Sequence, residues 1–147
     1  MLSFRCYVSL DGEDEVQRWY DRQTPCVRGA TSAVLEALGR RPPDLWRRKP
    51  YGILRGSSCL GLGEIRIEEP RGVHYRILGC FDDPAVAFIL LYAFAKDEDQ
   101  AYEISCSVAQ SRRNDLEQDH AFTRTCRFAS PGWRYDGSRV SRFLYGA

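Results

Sequence analysis

Lysine, histidine and methionine are scarce: the 147 residues hold two His, one Met, and Lys49 and Lys96 as the only lysines among 21 basic residues. The six cysteines (Cys6, Cys26, Cys59, Cys80, Cys106 and Cys126) contain no C-x-x-C pair, and no His stands at ligand spacing, which excludes a zinc module. No apolar run exceeds residues 85–95, far short of the ~20 residues that span a bilayer. The opening MLSFRCYVSLDGEDE lacks a cationic stretch followed by an apolar core and a small-residue cleavage site. The expectation is therefore a cytoplasmic chain with no membrane contact. Its cysteines are expected to be reduced and mostly buried, although their even number would permit a disulfide framework in a secreted protein.

What is present is an ordinary globular composition, 44% hydrophobic and 28% charged, at a length typical of one domain. Twenty-one basic residues against 20 acidic ones leave a net charge of +1, so any polyanion site must be local. The dominance of arginine over lysine has two readings: a GC-rich coding sequence, or a use for bidentate phosphate donors.

Residues 2–9 carry strand-forming types and end at the turn Leu10-Asp11-Gly12. Val16, Trp19 and Tyr20 then fit one face of a short helix. Thr24 suits an N-cap and Pro25 the first helical position, and Val27, Ala30, Val34, Leu35 and Leu38 recur at helical spacing up to Gly39. Residues 40–50, with three prolines and a basic cluster around Trp46, read as a loop. Ile65 and Ile67 alternate with polar residues, as do Val73, Tyr75 and Ile77, so LGEIRIEEPRGVHYRILGCF reads as a hairpin turning at Pro70-Arg71-Gly72. Arg66 and Arg76 are expected on one shared, more polar face. AVAFILLYAFA reads as a central strand, followed by a helix presenting Ala101, Ile104, Val108 and Ala109 up to about Asp115. Beyond residue 118, FTRTCRF and SRVSRFLY are candidate edge strands. The reading is one domain over 1–118 with an extension over 119–147, either an added strand or a tail.

The fold class expected is α+β: a small antiparallel twisted sheet with an N-terminal helical hairpin and a C-terminal helix. Within it stand LGEIR at 62–66, YRI at 75–77 and FAK at 94–96, in that order after the hairpin. On these pieces residues 2–115 resemble the RelE/HigB-like toxins, in the phage-derived HigB-like branch. The resemblance implies a RelE-like fold and a metal-independent, cofactor-free mRNA endoribonuclease (mRNA interferase) of a type II toxin–antitoxin system. An enzyme of that kind would act on mRNA, free or on the ribosome, and be inhibited by a cognate antitoxin protein. Arg66, Arg76 and Lys96 would line the RNA-facing surface, with Arg71 in the turn beside them. Preplaced guanidinium and ammonium groups stabilise the charge that builds on phosphorane oxygens when a 2′-hydroxyl attacks.

His74, two residues from Arg76 and so on the same strand face, is a candidate general acid or base. The blander readings are a solvated sheet face with Arg66 and Arg76 paired to Glu64 or Glu68, and a strand-end lysine reaching solvent. Tyr75 and Tyr92 suit base stacking or the core. Asp97-Glu98-Asp99 after Lys96, the near-neutral charge and the tail around Trp133-Arg134-Tyr135 depart from the family pattern. The acidic run and the modest charge favour an alternative in which a catalytically inactive relative serves as a protein-binding module, while the tail suits base stacking, partner contact or a poorly packed terminus.

Overall fold

The computed structural model describes residues 2–69, 72–82, 87–96 and 100–128. The chain runs through β1 (Ser3–Ser9), α1 (Glu15–Asp21), α2 (Pro25–Arg40), β2 (Tyr51–Ile53), β3 (Gly63–Glu68), β4 (His74–Asp82), β5 (Ala87–Ala95), α3 (Gln100–Glu117) and β6 (Ala121–Thr125). Six strands form one mixed, mostly antiparallel sheet in the order β2-β3-β4-β5-β1-β6, with β1 parallel to β5. The fold is mixed α and β, as expected. β2 begins directly after the stretch read as loop, in residues assigned to no element, and the first of the two candidate edge strands after residue 118 pairs with β1. SRVSRFLY lies outside the described residues.

Local chemistry accounts for the helical hairpin. The Asp14 side chain accepts from the Gln17 amide at 3.1 Å and opens α1, and the Thr24 side chain accepts from the Val27 amide at 3.3 Å and opens α2. Each cap satisfies a backbone donor that the first turn leaves orphaned. The hairpin packs on one sheet face, where Val16, Leu35 and Leu38 meet Ile65, Ile67 and Ile77. α3 packs on the other, where Cys106 and Ala109 meet Leu62, Leu78 and Phe94. The sheet is thus covered on both sides. At a bulge between Leu78 and Gly79 the two faces change register. Only glycine fits there, because a Cβ on Gly79 would stand 2.1 Å from the Ile89 carbonyl oxygen.

β1 and β5 pair only from Ser3–Ala87 to Cys6–Leu90 and then separate. Arg112 of α3 closes the gap. It donates to the Leu91 carbonyl at 2.8 Å, pairs with Glu15 of α1, and lies 5.4 Å from the ring centres of both Tyr7 and Tyr92. This one guanidinium ties the two helical layers together through the sheet.

Two expectations are corrected. The inward stripe of α3 is shifted from the one expected: Ala109 is buried as expected, but it is joined by Ser105 and Cys106, whereas Ile104 is exposed. The helix is rotated because Cys106 is tied to Cys59 by a disulfide, with Cα atoms 5.1 Å apart. That disulfide is the second correction, since all six thiols had been expected reduced. The partners lie 47 residues apart, and spacing along the chain carries no sign of which distant elements meet. Among the described residues no helix is long and apolar enough to cross a membrane.

Candidate functional site

β3, β4 and β5 lie side by side, and their alternation places Glu64, Arg66, Arg76 and Lys96 toward one face at one end of the sheet. Arg66 and Arg76 are direct cross-strand partners, and Phe94 stands opposite Arg76 on its other side. Two facing guanidiniums repel, and Glu64 offsets this. Its Oε1 lies 3.1 Å from the Arg76 Nε and its Oε2 lies 3.5 Å from an Arg66 terminal nitrogen. The Arg76 Nε also donates to the Tyr102 hydroxyl at 3.1 Å, and one of its terminal nitrogens donates to the Tyr75 carbonyl at 2.9 Å. Tyr102 in turn donates to Glu64, and Lys96 Nζ lies 6.0 Å from the centre of the Tyr102 ring.

The predicted residues thus come together, but not as the open surface expected of an RNA-facing sheet. α3 covers this face, and the side chains of Arg76 and Glu64 are 9% and 8% exposed. Arg66 is 30% exposed and Lys96 is exposed. The cluster therefore has an inner, charge-balanced layer, Arg76–Glu64–Tyr102, and an outer pair of cations that solvent and ligands can reach. Strand periodicity reports which residues share a face and not what covers it. Of the two carboxylates open to Arg76 by strand pairing, Glu64 and Glu68, it is Glu64 that pairs with it.

His74 is exposed at the mouth of the same corner, 4.0 Å from Glu68, and its carbonyl accepts from the Lys96 amide at 2.8 Å. Arg71 and Asp97-Glu98-Asp99 lie outside the described residues, as does Trp133-Arg134-Tyr135. Tyr75 packs edge-on against Trp19 under the helical hairpin, and Tyr92 stacks on Phe94. Neither forms a free base-stacking platform.

Tyr102 was missed by the sequence reading, and so was the central place of Glu64. The signal for Glu64 was its period of two with Arg66. Tyr102 is recognisable only once the helix rotation is known, because it shares the inward stripe with Cys106 and Ala109.

Burial and the hydrogen bond to Glu64 push the Tyr102 hydroxyl up to about 12, against an opposing pull from Arg76. The phenol therefore stays protonated at neutral pH and acts as a donor. A raised folded value means its contribution to stability is whole below the unfolded value of about 10 and is lost as pH rises through about 12. Burial also raises Tyr51 to about 12. A Tyr102→Phe chain should accordingly lose part of the late-titrating phenolate absorbance and keep the Tyr51 part. An unchanged late fraction would place the Tyr102 hydroxyl outside this network.

Among the described residues no three His, Cys, Asp or Glu side chains are grouped as a metal site. No protein-family model matches the chain, and searches of curated proteins and of solved structures likewise return no match.

Proposed function

We propose that this chain is a RelE/HigB-like toxin: a cytoplasmic, metal-independent endoribonuclease that cleaves mRNA, free or on the ribosome, and is held inactive by a cognate antitoxin. The observation that carries the reading is the convergence of Arg66 of β3, Arg76 of β4 and Lys96, the residue after β5, on one corner of the sheet. In the proposed reaction a ribose 2′-hydroxyl attacks the adjacent phosphorus and the bond from phosphorus to the 5′ oxygen breaks. The products are a 2′,3′-cyclic phosphate and a 5′-hydroxyl. Lys96 and Arg66 reach the phosphate and stabilise the charge on its equatorial oxygens. His74 accepts the 2′ proton, and solvent returns one to the leaving oxygen. Arg76 is a positioning residue, fixed by Glu64 and Tyr102 beneath the reacting phosphate. Arg71 adds a backbone contact.

Induced expression in a bacterium tests this. The natural chain should arrest growth and cut mRNA, and Lys96→Ala or Arg66→Ala should each lower cleavage by about 100-fold, the usual loss for one preplaced transition-state donor. Both side chains reach solvent, so neither change should unfold the chain. A folded natural chain that neither slows growth nor cuts mRNA would hand the case to the second reading. That reading is a protein-binding module without catalysis, favoured by the neutralisation of Arg76 by Glu64 beneath α3.

A further inference from the structure

The basic cluster around Trp46 has no role in the site just described. Between residues 40 and 55 the chain places Arg40, Arg41, Arg47, Arg48, Lys49 and Arg55 against a single acidic residue, Asp44. In a chain whose net charge is +1, this is a strong local excess.

The segment is a fixed strap. Trp46 is 2% exposed, and its ring packs against Tyr51, Phe81 and Phe88 with centroid distances of 5.0–5.2 Å. The indole nitrogen donates to the Leu38 and Arg41 carbonyls at 3.1 and 2.9 Å, which locks the strap to the end of α2. The Arg47 side chain donates to the Asp44 carbonyl at 2.7 Å, and the Tyr51 amide donates to the Arg48 carbonyl at 3.1 Å. Arg47, Arg48 and Lys49 are exposed, and none of the three forms an ion pair among the described residues. Three cations are thus held out from a backbone whose ordering cost folding has already met, the arrangement that favours binding a flexible polyanion.

The strap also borders the candidate site. The Arg66 amide donates to the Pro50 carbonyl at 2.8 Å, directly after Lys49. The Arg66 guanidinium lies across β2, where a Cβ on Gly52 would stand 2.7 Å from its nitrogen. Arg66 is therefore the junction between the corner that holds Lys96 and the strap.

We infer that Arg47, Arg48 and Lys49 form a second phosphate-binding surface that carries the backbone of a single RNA strand away from the candidate site, with Arg66 as the link. The inference rests on the RNA-cleavage reading and extends it to the path of the substrate. The contacts are to phosphates, so they supply affinity without sequence preference. Aromatic stacking plays no part here, because Trp46 is committed to the core.

The test compares the full chain with the Arg47→Gln/Arg48→Gln/Lys49→Gln variant in binding to a fluorescent single-stranded oligouridylate over a range of salt concentrations. Each phosphate contact on a single strand contributes about 0.7 to the slope of log affinity against log salt. The variant is expected to lose about 2 from that slope and about 10- to 100-fold in affinity near 0.1 M salt, with an unchanged urea midpoint. An unchanged slope overturns the inference, as does a natural chain that binds no oligouridylate. So does a variant that loses polyglutamate binding but keeps RNA binding, since the strap would then serve an acidic protein partner. The two proposals can fail separately. Cleavage by a variant that binds RNA as the natural chain does sinks the strap alone, and strap-dependent RNA binding without any cleavage sinks the nuclease reading alone.

Discussion

Replacing Glu64 by alanine is expected to lower the free energy of unfolding by about 3–5 kcal/mol, the loss typical when one partner of a buried ion pair is removed. Glu64 and Arg76 are both more than nine-tenths buried at the side chain, so solvent screens the pair poorly. Removing the carboxylate leaves Arg76 facing its cross-strand partner Arg66 with no counter-charge between them, and it deprives the Tyr102 hydroxyl of its acceptor. Replacing both partners with apolar residues, as in Glu64→Leu with Arg76→Met, should by contrast lie within about 1–2 kcal/mol of the natural chain. Urea unfolding of Glu64→Leu, Arg76→Met and the double variant completes the cycle. A loss below about 1 kcal/mol for Glu64→Ala would mean that water enters beneath α3 and that the pair behaves as a surface contact. The double variant has a second use. If it folds and is silent toward mRNA while the natural chain cleaves, Arg76 acts through the phosphate site and not only through the fold.

Much of the scaffold was open to reading from residues alone because its signals are local. Thr24-Pro25 marks the start of α2 as capping chemistry requires, the alternation of Ile65 and Ile67 against Tyr75 and Ile77 sets the hairpin, and the apolar run ending at Ala95 is the central strand. What escaped depends on distant parts of the chain. β2 is three residues long, with Gly52 at its centre, and exists because β3 offers it a free edge. The rotation of α3 follows from Cys59 and Cys106, and Ile104, apolar but 66% exposed, misled the helical pattern. Grouping Arg66 with Arg76 needed only the strand period. Seeing that Arg76 is buried required knowing that α3 returns over that face.

A change of similar size should come from the Cys59–Cys106 disulfide. It closes a loop of 47 residues in sequence separation, and the chain-entropy relation assigns such a loop about 4 kcal/mol of stability through its restriction of the unfolded ensemble. The bond joins the turn before β3 to the middle of α3, the helix that roofs the candidate site, so its loss should also loosen the layer that keeps Glu64 and Arg76 dry. Reduction by dithiothreitol and the Cys59→Ala/Cys106→Ala variant should lower the unfolding free energy by similar amounts. Cys26 is a free, exposed thiol, so both treatments are compared in a Cys26→Ser background, where Cys6 and Cys80 are poorly placed to exchange. Burial and the neighbouring Cys126 hold the Cys6 thiol well above its ordinary value, and burial raises Cys80, so neither is readily a thiolate. If both treatments shift stability by less than about 1 kcal/mol, the packing of α3 alone sets the helix rotation. If they shift it by about 4 kcal/mol, a reducing compartment would hold the chain in its weaker form, and any partner binding only the folded state would restore stability by mass action.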